Sequence, residues 1–245
     1  MITLADSAAA DKILSEVRRE ARSSETVQAA CQRVMEGLVA RLSSSLLLAR
    51  AYLTVPWQNL PEADRLFART VAANAASAHL LRNDTRVLSL LGTAGLEPSW
   101  RDRYSSSGHL AIPLLSPEFV AGIPMVAGLI DQLGSSVRWY GQISQGATKD
   151  TFGVFTGSFF VPDASSTRDS AGRLLIPAQD FVKRYGIRSV FGVGGQFQAS
   201  GMILVCIFFS NVELDETPGW LLRLPLIIAG ITQPLLASGR TFAAG

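Results

Sequence analysis

The residues able to do chemistry in this chain are few and far apart. Two histidines, His79 and His109, and two cysteines, Cys31 and Cys206, are its only imidazoles and thiols. No pair of them stands at a Cys-x-x-Cys or His-x-x-x-His spacing, so the sequence offers no metal-ligand set. A serine nucleophile would have only those two histidines as base, and no Gly-x-Ser-x-Gly elbow is present. Gly192, Gly194 and Gly195 look like the start of a dinucleotide loop, but Phe197 stands where the third glycine belongs, and a strand follows where a helix is needed. The chain reads as a non-enzyme. Its remaining polar candidates each have more than one role open to them. Arg188, on a predicted strand, can hold a carboxylate, a phosphate or a nearby Asp. His109, at the head of another, can take haem iron, switch near neutral pH, or simply make a hydrogen bond. Cys206 lies inside eight consecutive apolar residues, Met202 to Phe209, where a thiol is inaccessible and hard to ionise.

That apolar octet organises the rest. It reads as the second strand of a hairpin whose first strand is Ile187 to Val193, with a turn opening at Gly194 and Gly195. A strand with no polar face cannot sit at a sheet edge in water, so it requires strands on both sides and helices above and below. The first 45 residues supply helix: Ile13, Leu14, Val17 and Ala21 form one stripe, and Val27, Cys31, Val34, Leu38 and Leu42 form another after a fresh start near Ser24 and Glu25. The second stripe suits a helix packed on its own sheet and equally one that pairs with a copy of itself. Strands follow from Ser45 to Val55, Thr85 to Gly92 and 110 to 115, with a helix opening at Pro61 between the first two. An Arg- and Ser-rich loop precedes His109. A helix is predicted from Pro117 to Gly134, a strand from Thr151 to Val161, a short helix from Pro177 to Gly186, and a closing helix from Trp220 to Leu235.

Composition bounds the partners. The chain has 245 residues, 48% of them hydrophobic and 17% charged, enough for one well-filled core. Its net charge of +2 comes from 22 basic and 20 acidic residues spread along the chain, which implies no nucleic-acid partner. Two cysteines read as reduced core residues, which points to the cytoplasm. Asp6, Asp11 and Lys12 break up the one candidate leader. Arg223, Pro225, Gln233 and Pro234 interrupt the apolar closing helix, so no membrane span is expected. Apolar helices at both ends make a homodimer the expected assembly.

The order of elements resembles the GAF family of sensory domains. The likeness rests on Gly186, Ile187, Arg188 and Ser189, the apolar strand Met202 to Phe209, and Leu214 and Leu221 in the acidic lead into an apolar helix. The usual proline after the first of these strands is absent, with Gly192 and Gly194 near its place. The resemblance implies an α+β fold, an antiparallel sheet of about six strands with helices on both faces and long N- and C-terminal helices. It places residues 1–24 as a helical extension and 25–240 as the domain.

The same resemblance implies a cup in which a ligand lies between one sheet face and the variable helices and loops. Its candidate wall is His109, Trp139, Tyr140, Phe155 and Arg188, although aromatic residues at these positions can equally be ordinary core. Three readings follow. One is a sensory or regulatory module that binds an unidentified small molecule and signals through dimer helices to a partner protein. A second is a dimerisation or scaffold module without a pocket. The third is a haem or redox sensor built on His109. No cofactor can be named from the sequence, and no output domain is read in it.

Overall fold

The computed structural model describes Leu4 and residues 7–106, 108–134, 154–197 and 200–243. Six strands, β1 (Leu46–Pro56), β2 (Arg86–Gly95), β3 (Ala111–Pro113), β4 (Val154–Val161), β5 (Ser189–Phe197) and β6 (Ile203–Ser210), form one antiparallel sheet in the order β3-β2-β1-β6-β5-β4. Helices α1 (Ser7–Ala21), α2 (Val27–Leu42), α3 (Glu62–Asn74), α4 (Pro117–Ala121), α5 (Pro124–Gly134), α6 (Gln179–Tyr185) and α7 (Leu224–Ala237) cover it on both faces. This is the α+β architecture that the resemblance implies.

Every residue of β6 is buried, because it lies between β1 and β5 and has a core on each face. Its pleat sends Leu204, Cys206 and Phe208 into one apolar cluster and Ile203, Val205, Ile207 and Phe209 into the other. The first cluster is sealed by α1, α2 and α7. The stripe Ile13, Leu14, Val17 and Ala21 of α1 is buried in it beside Val27, Cys31, Val34 and Leu38 of α2, so the segment expected as an extension packs into the domain's own core. The α2 N-terminus is satisfied from the far end of the chain: Val27 and Gln28 donate their backbone N–H groups to the carbonyls of Arg240 and Thr241 at 3.0 and 2.9 Å. The helix starts two residues later than its acidic lead indicates, with the Thr26 hydroxyl accepting from the Ala29 N–H at 3.1 Å.

Two local readings change. Gly194 and Gly195 do not open the hairpin turn; they lie within β5, opposite Val205 and Leu204. In the same strand Gly192 is required by contact: a Cβ on it would stand 2.8 Å from the Cys206 carbonyl oxygen. The turn falls beyond the end of β5, where Gly201 takes φ +63. The predicted helix from Pro117 to Gly134 is two helices, because Pro124 cannot continue the first and instead starts the second. Among the described residues one helical stretch, Gly219–Ala237, is long and apolar enough to cross a membrane; 44% of its most apolar window is buried inside this fold.

β3 pairs with only three residues of β2, so among the described residues the outer edge of β2 beyond Ser89 lacks a strand partner. Side chains replace it. Arg103 donates from Nε to the Leu90 carbonyl at 2.6 Å, the Gln32 amide exchanges two hydrogen bonds with the Thr93 backbone at 2.9 and 3.0 Å, and Arg101 donates to the carbonyls of Gly95 and Leu96. Arg103 is itself buried and paired with the buried Asp64 of α3 at 2.5 Å, with Ser89 bridging to the same carboxylate oxygen at 2.6 Å. The Arg-rich loop is thereby fixed to the sheet edge. Asp64→Ala leaves that guanidinium buried without its counter-charge, and the expected cost is about 3–5 kcal/mol, read as a shift of the urea unfolding midpoint. A change under about 1 kcal/mol would mean that the pair behaves as a surface salt bridge and does not anchor the loop.

Candidate functional site

Among the described residues the second face of the sheet is incompletely filled. A cavity of about 580 Å³ opens over the strands, with Arg50 of β1, Phe209 of β6 and Ile112 of β3 at its base. The start of α5 and residues 176–178 form one wall, and Phe181 of α6 joins them. The anchored loop forms the opposite rim through Ser99, Trp100, Ser105, Ser106, Gly108 and His109. Its size and largely apolar lining with few polar groups are those of a small-molecule site.

Aromatic packing holds the wall in place. Trp100 meets Phe181 and Tyr185 edge-on at ring distances of 5.5 and 4.5 Å, and Phe181 meets Phe209 at 5.8 Å. Trp100 can lie over the end of β2 because residue 95 is glycine, where a Cβ would stand 2.7 Å from the indole ring. The Trp100 carbonyl accepts from the Thr93 hydroxyl at 2.8 Å, which ties the same residue to the sheet.

Strand alternation explains the polar group at the base. Leu48 and Tyr52 of β1 belong to the second core, and Arg50 between them shares their face, in register with Thr93 on β2 and Ile207 on β6. Arg50 is half-buried, and its Nε is buried with no hydrogen-bond partner. It lies beside the Tyr52 phenol, whose ionisation burial pushes up and Arg50 partly offsets. Among the described residues no carboxylate forms an ion pair with Arg50. On the rim, the buried Ser106 hydroxyl also lacks a partner.

The expected site residues fare differently. His109 is half-buried on the cavity rim, and it makes an interaction there. Phe155 lies on β4 opposite Gln196. Trp139 and Tyr140 lie outside the described residues. Arg188 is not part of the cavity lining: it is exposed and pairs with Glu213 at 3.2 Å, and its charge also acts on the nearby Asp163, whose carboxyl is held below its ordinary value chiefly by hydrogen bonds from Ser165 and Ser166. Arg50, Trp100, Ser106 and Phe181 were missed by the sequence reading. Arg50 did leave a signal, as the one charge inside the apolar run Leu46 to Leu53 of a strand with two buried neighbours. Among the described residues no cluster of three His, Cys, Asp or Glu is placed to hold a metal ion.

No protein-family model matches the sequence, and no curated protein matches it. Solved structures similar to this chain include a phycocyanobilin-bound GAF domain from a cyanobacterial phytochrome, at 10% identity over 94% of both chains with a TM-score of 0.45. A phycoerythrobilin-bound GAF domain from a cyanobacterial phytochrome is 12% identical, with 94% of this chain and 95% of that one covered and a TM-score of 0.43. The photosensory core module of a Stigmatella aurantiaca phytochrome is 10% identical and has a TM-score of 0.42, covering 94% of this chain and 37% of that one.

Both cysteines are free, and both belong to the core on the opposite face of the sheet from the cavity. Burial pushes the Cys31 thiol up to about 12 and raises Cys206 well above its ordinary value, with the neighbouring Cys31 adding to the second shift. A raised thiol pKa means that the nucleophilic thiolate is absent below it. In native protein at pH 8, an aromatic disulfide reagent is therefore expected to find no fast-reacting thiol, whereas in guanidinium both react at once. A native thiol that reacts at the rate of a free cysteine would show that one of them is open to solvent.

Proposed function

We propose that this domain is a non-catalytic sensory or regulatory module that binds a small organic molecule in the cavity beneath Trp100 and Phe181. The supporting observation is the cavity itself, a hollow of about 580 Å³ whose aromatic and aliphatic wall is held by packing and which no side chain of the described residues fills. That favours a binding module over a pocket-less scaffold. Neither cysteine lines the cavity, so the ligand is held without a thiol bond. The two unlinked buried thiols fit a cytoplasmic setting.

Binding to the native state alone raises the melting temperature. A metabolite panel is therefore expected to contain compounds that stabilise the full chain by several degrees. Ala178→Trp, placed at an exposed position of the cavity lining, should abolish those shifts without lowering the ligand-free melting temperature. Haem belongs in the panel because His109 lies on the rim, and a Soret band that His109→Ala removes would identify it as the ligand. A panel without a single shift would count against the whole reading.

We further propose that the signal leaves through the layer of α1, α2 and α7, as a homodimer that contacts a signalling partner. The motivation is the row of half-buried apolar residues that α7 keeps beside its core, Leu226, Ile227, Ile231 and Leu236, with Leu222 exposed just ahead of them. Light scattering at micromolar concentration is expected to return twice the chain mass; a monomer there would exclude this route.

A further inference from the structure

We infer that the cavity takes an organic anion, a monocarboxylate with an apolar body, and that Arg50 together with Ser106 holds its charged end. The inference deepens the binding role proposed above and rests on it. A guanidinium in a protein is always charged, and placing one on the inner face of a central strand is costly unless it is paired. Arg50 occupies such a place with its Nε buried and unpartnered, and among the described residues it has no carboxylate at ion-pair distance. Tyr52, its neighbour, can accept a hydrogen bond from it but supplies no charge at neutral pH, since burial raises the phenol further above that range.

The second unpartnered group points the same way. Ser106 is more than nine-tenths buried, lines the same cavity, and its hydroxyl is a donor without an acceptor. A guanidinium and a hydroxyl with unused donor capacity are what a carboxylate satisfies. The rest of the lining sets the class of anion. Among the described lining residues Arg50 is the one permanent cation and none is acidic, so the site offers a single positive charge, which matches a monoanion and leaves a phosphate dianion half-compensated. Trp100, Phe181, Phe209 and the aliphatic side chains of Ile112, Ile123 and Val126 accept an apolar body, and the aromatic edges favour a flat one.

The unpartnered guanidinium makes the idea testable without knowing the natural ligand. Arg50→Met keeps the aliphatic stem and removes the unpaired charge, so it should raise the ligand-free melting temperature of the full chain by a few degrees while abolishing anion binding. Binding is measured by titration calorimetry with four acids and their primary amides: benzoate, cinnamate, 1-naphthaleneacetate and octanoate, with inorganic phosphate as a fifth arm. In the unaltered chain at least one acid is expected to bind at least about tenfold more tightly than its amide. That preference should vanish in Arg50→Met and weaken in Ser106→Ala. A fall in ligand-free stability for Arg50→Met would assign the guanidinium a structural role and overturn the inference. So would equal binding of acids and amides, which leaves the cavity a binding site for neutral molecules. Tighter binding of phosphate than of every acid would overturn the monocarboxylate assignment. No binding by any of the compounds would overturn this inference, while the binding role beneath it stands or falls with the metabolite panel.

Discussion

A strand buried on both faces cannot exist alone, and this fold is the set of elements that β6 compels. It has no side on which a polar residue could meet water, so it must be flanked by β1 and β5 and covered by two layers. One layer, α1, α2 and α7, closes over Leu204, Cys206 and Phe208 with close backbone approach. Gly92 of β2 marks how close: a Cβ there would lie 2.6 Å from the Cys31 backbone carbon. The other layer is made of short helices and loops that meet the sheet through aromatic edges, and it leaves a hollow. The two faces differ because long amphipathic helices pack their stripes continuously, whereas five- to eleven-residue pieces separated by Pro113, Pro117, Pro124 and Pro177 cannot.

The rim of that hollow would be an ordinary loop if β3 were longer. Because it pairs with so little of β2, the exposed peptide groups of the neighbouring strand need partners, and Arg101, Arg103 and Gln32 provide them. A side-chain substitute for a strand is stiffer in one respect: it fixes the loop that carries it. Arg103 is held by Asp64 and Ser89 from below and lies over the Tyr104 ring at 4.8 Å, so Trp100 and Ser106, three residues to either side, are positioned by the same anchor. Stability of the sheet edge and shape of the site are therefore one property.

The legibility of the chain follows this division. Periodicity identified β6, α1 and α2, and with them the helical layer, because those stripes are long and their burial is uniform. The hairpin turn was misplaced since glycine has two uses: Gly194 and Gly195 look like punctuation, and only the approach of neighbouring elements shows that they belong to β5. The site was the least legible part. Arg188 looks like a ligand residue by its motif, yet it stands just ahead of β5, where its side chain reaches solvent and Glu213. Arg50 was overlooked within an apolar run, although a lone charge in such a run is more informative than the aromatic residues around it, since burial penalises it so heavily. Trp100 and Ser106 give no sequence signal, because their place depends on where Arg103 is pinned.

The geometry also constrains how a bound molecule could be felt elsewhere. The cavity and the helical layer do not touch; the sheet stands between them. Its central strands, however, are one residue thick, so each residue facing the cavity is bonded to a neighbour facing the helices. Arg50 lies between Ala49 and Ala51, and Phe209 follows Phe208, and these partners are buried in the core that α2 and α7 seal. Phe208 stacks on Phe191 of β5 at 5.3 Å within that core. The segment leading to α7 is bonded to the sheet: the Thr217 hydroxyl donates to the Phe159 carbonyl of β4 at 3.1 Å, and the Ser189 hydroxyl of β5 donates to the Val212 carbonyl at 2.7 Å. A ligand that draws the guanidinium of β1 and displaces Phe209 of β6 therefore acts on two strands whose opposite faces carry α2 and α7. Close-packed interfaces of this kind shift as units and do not deform gradually. Under the proposed binding role, β1 and β6 are thus the elements that the cavity and the helices share.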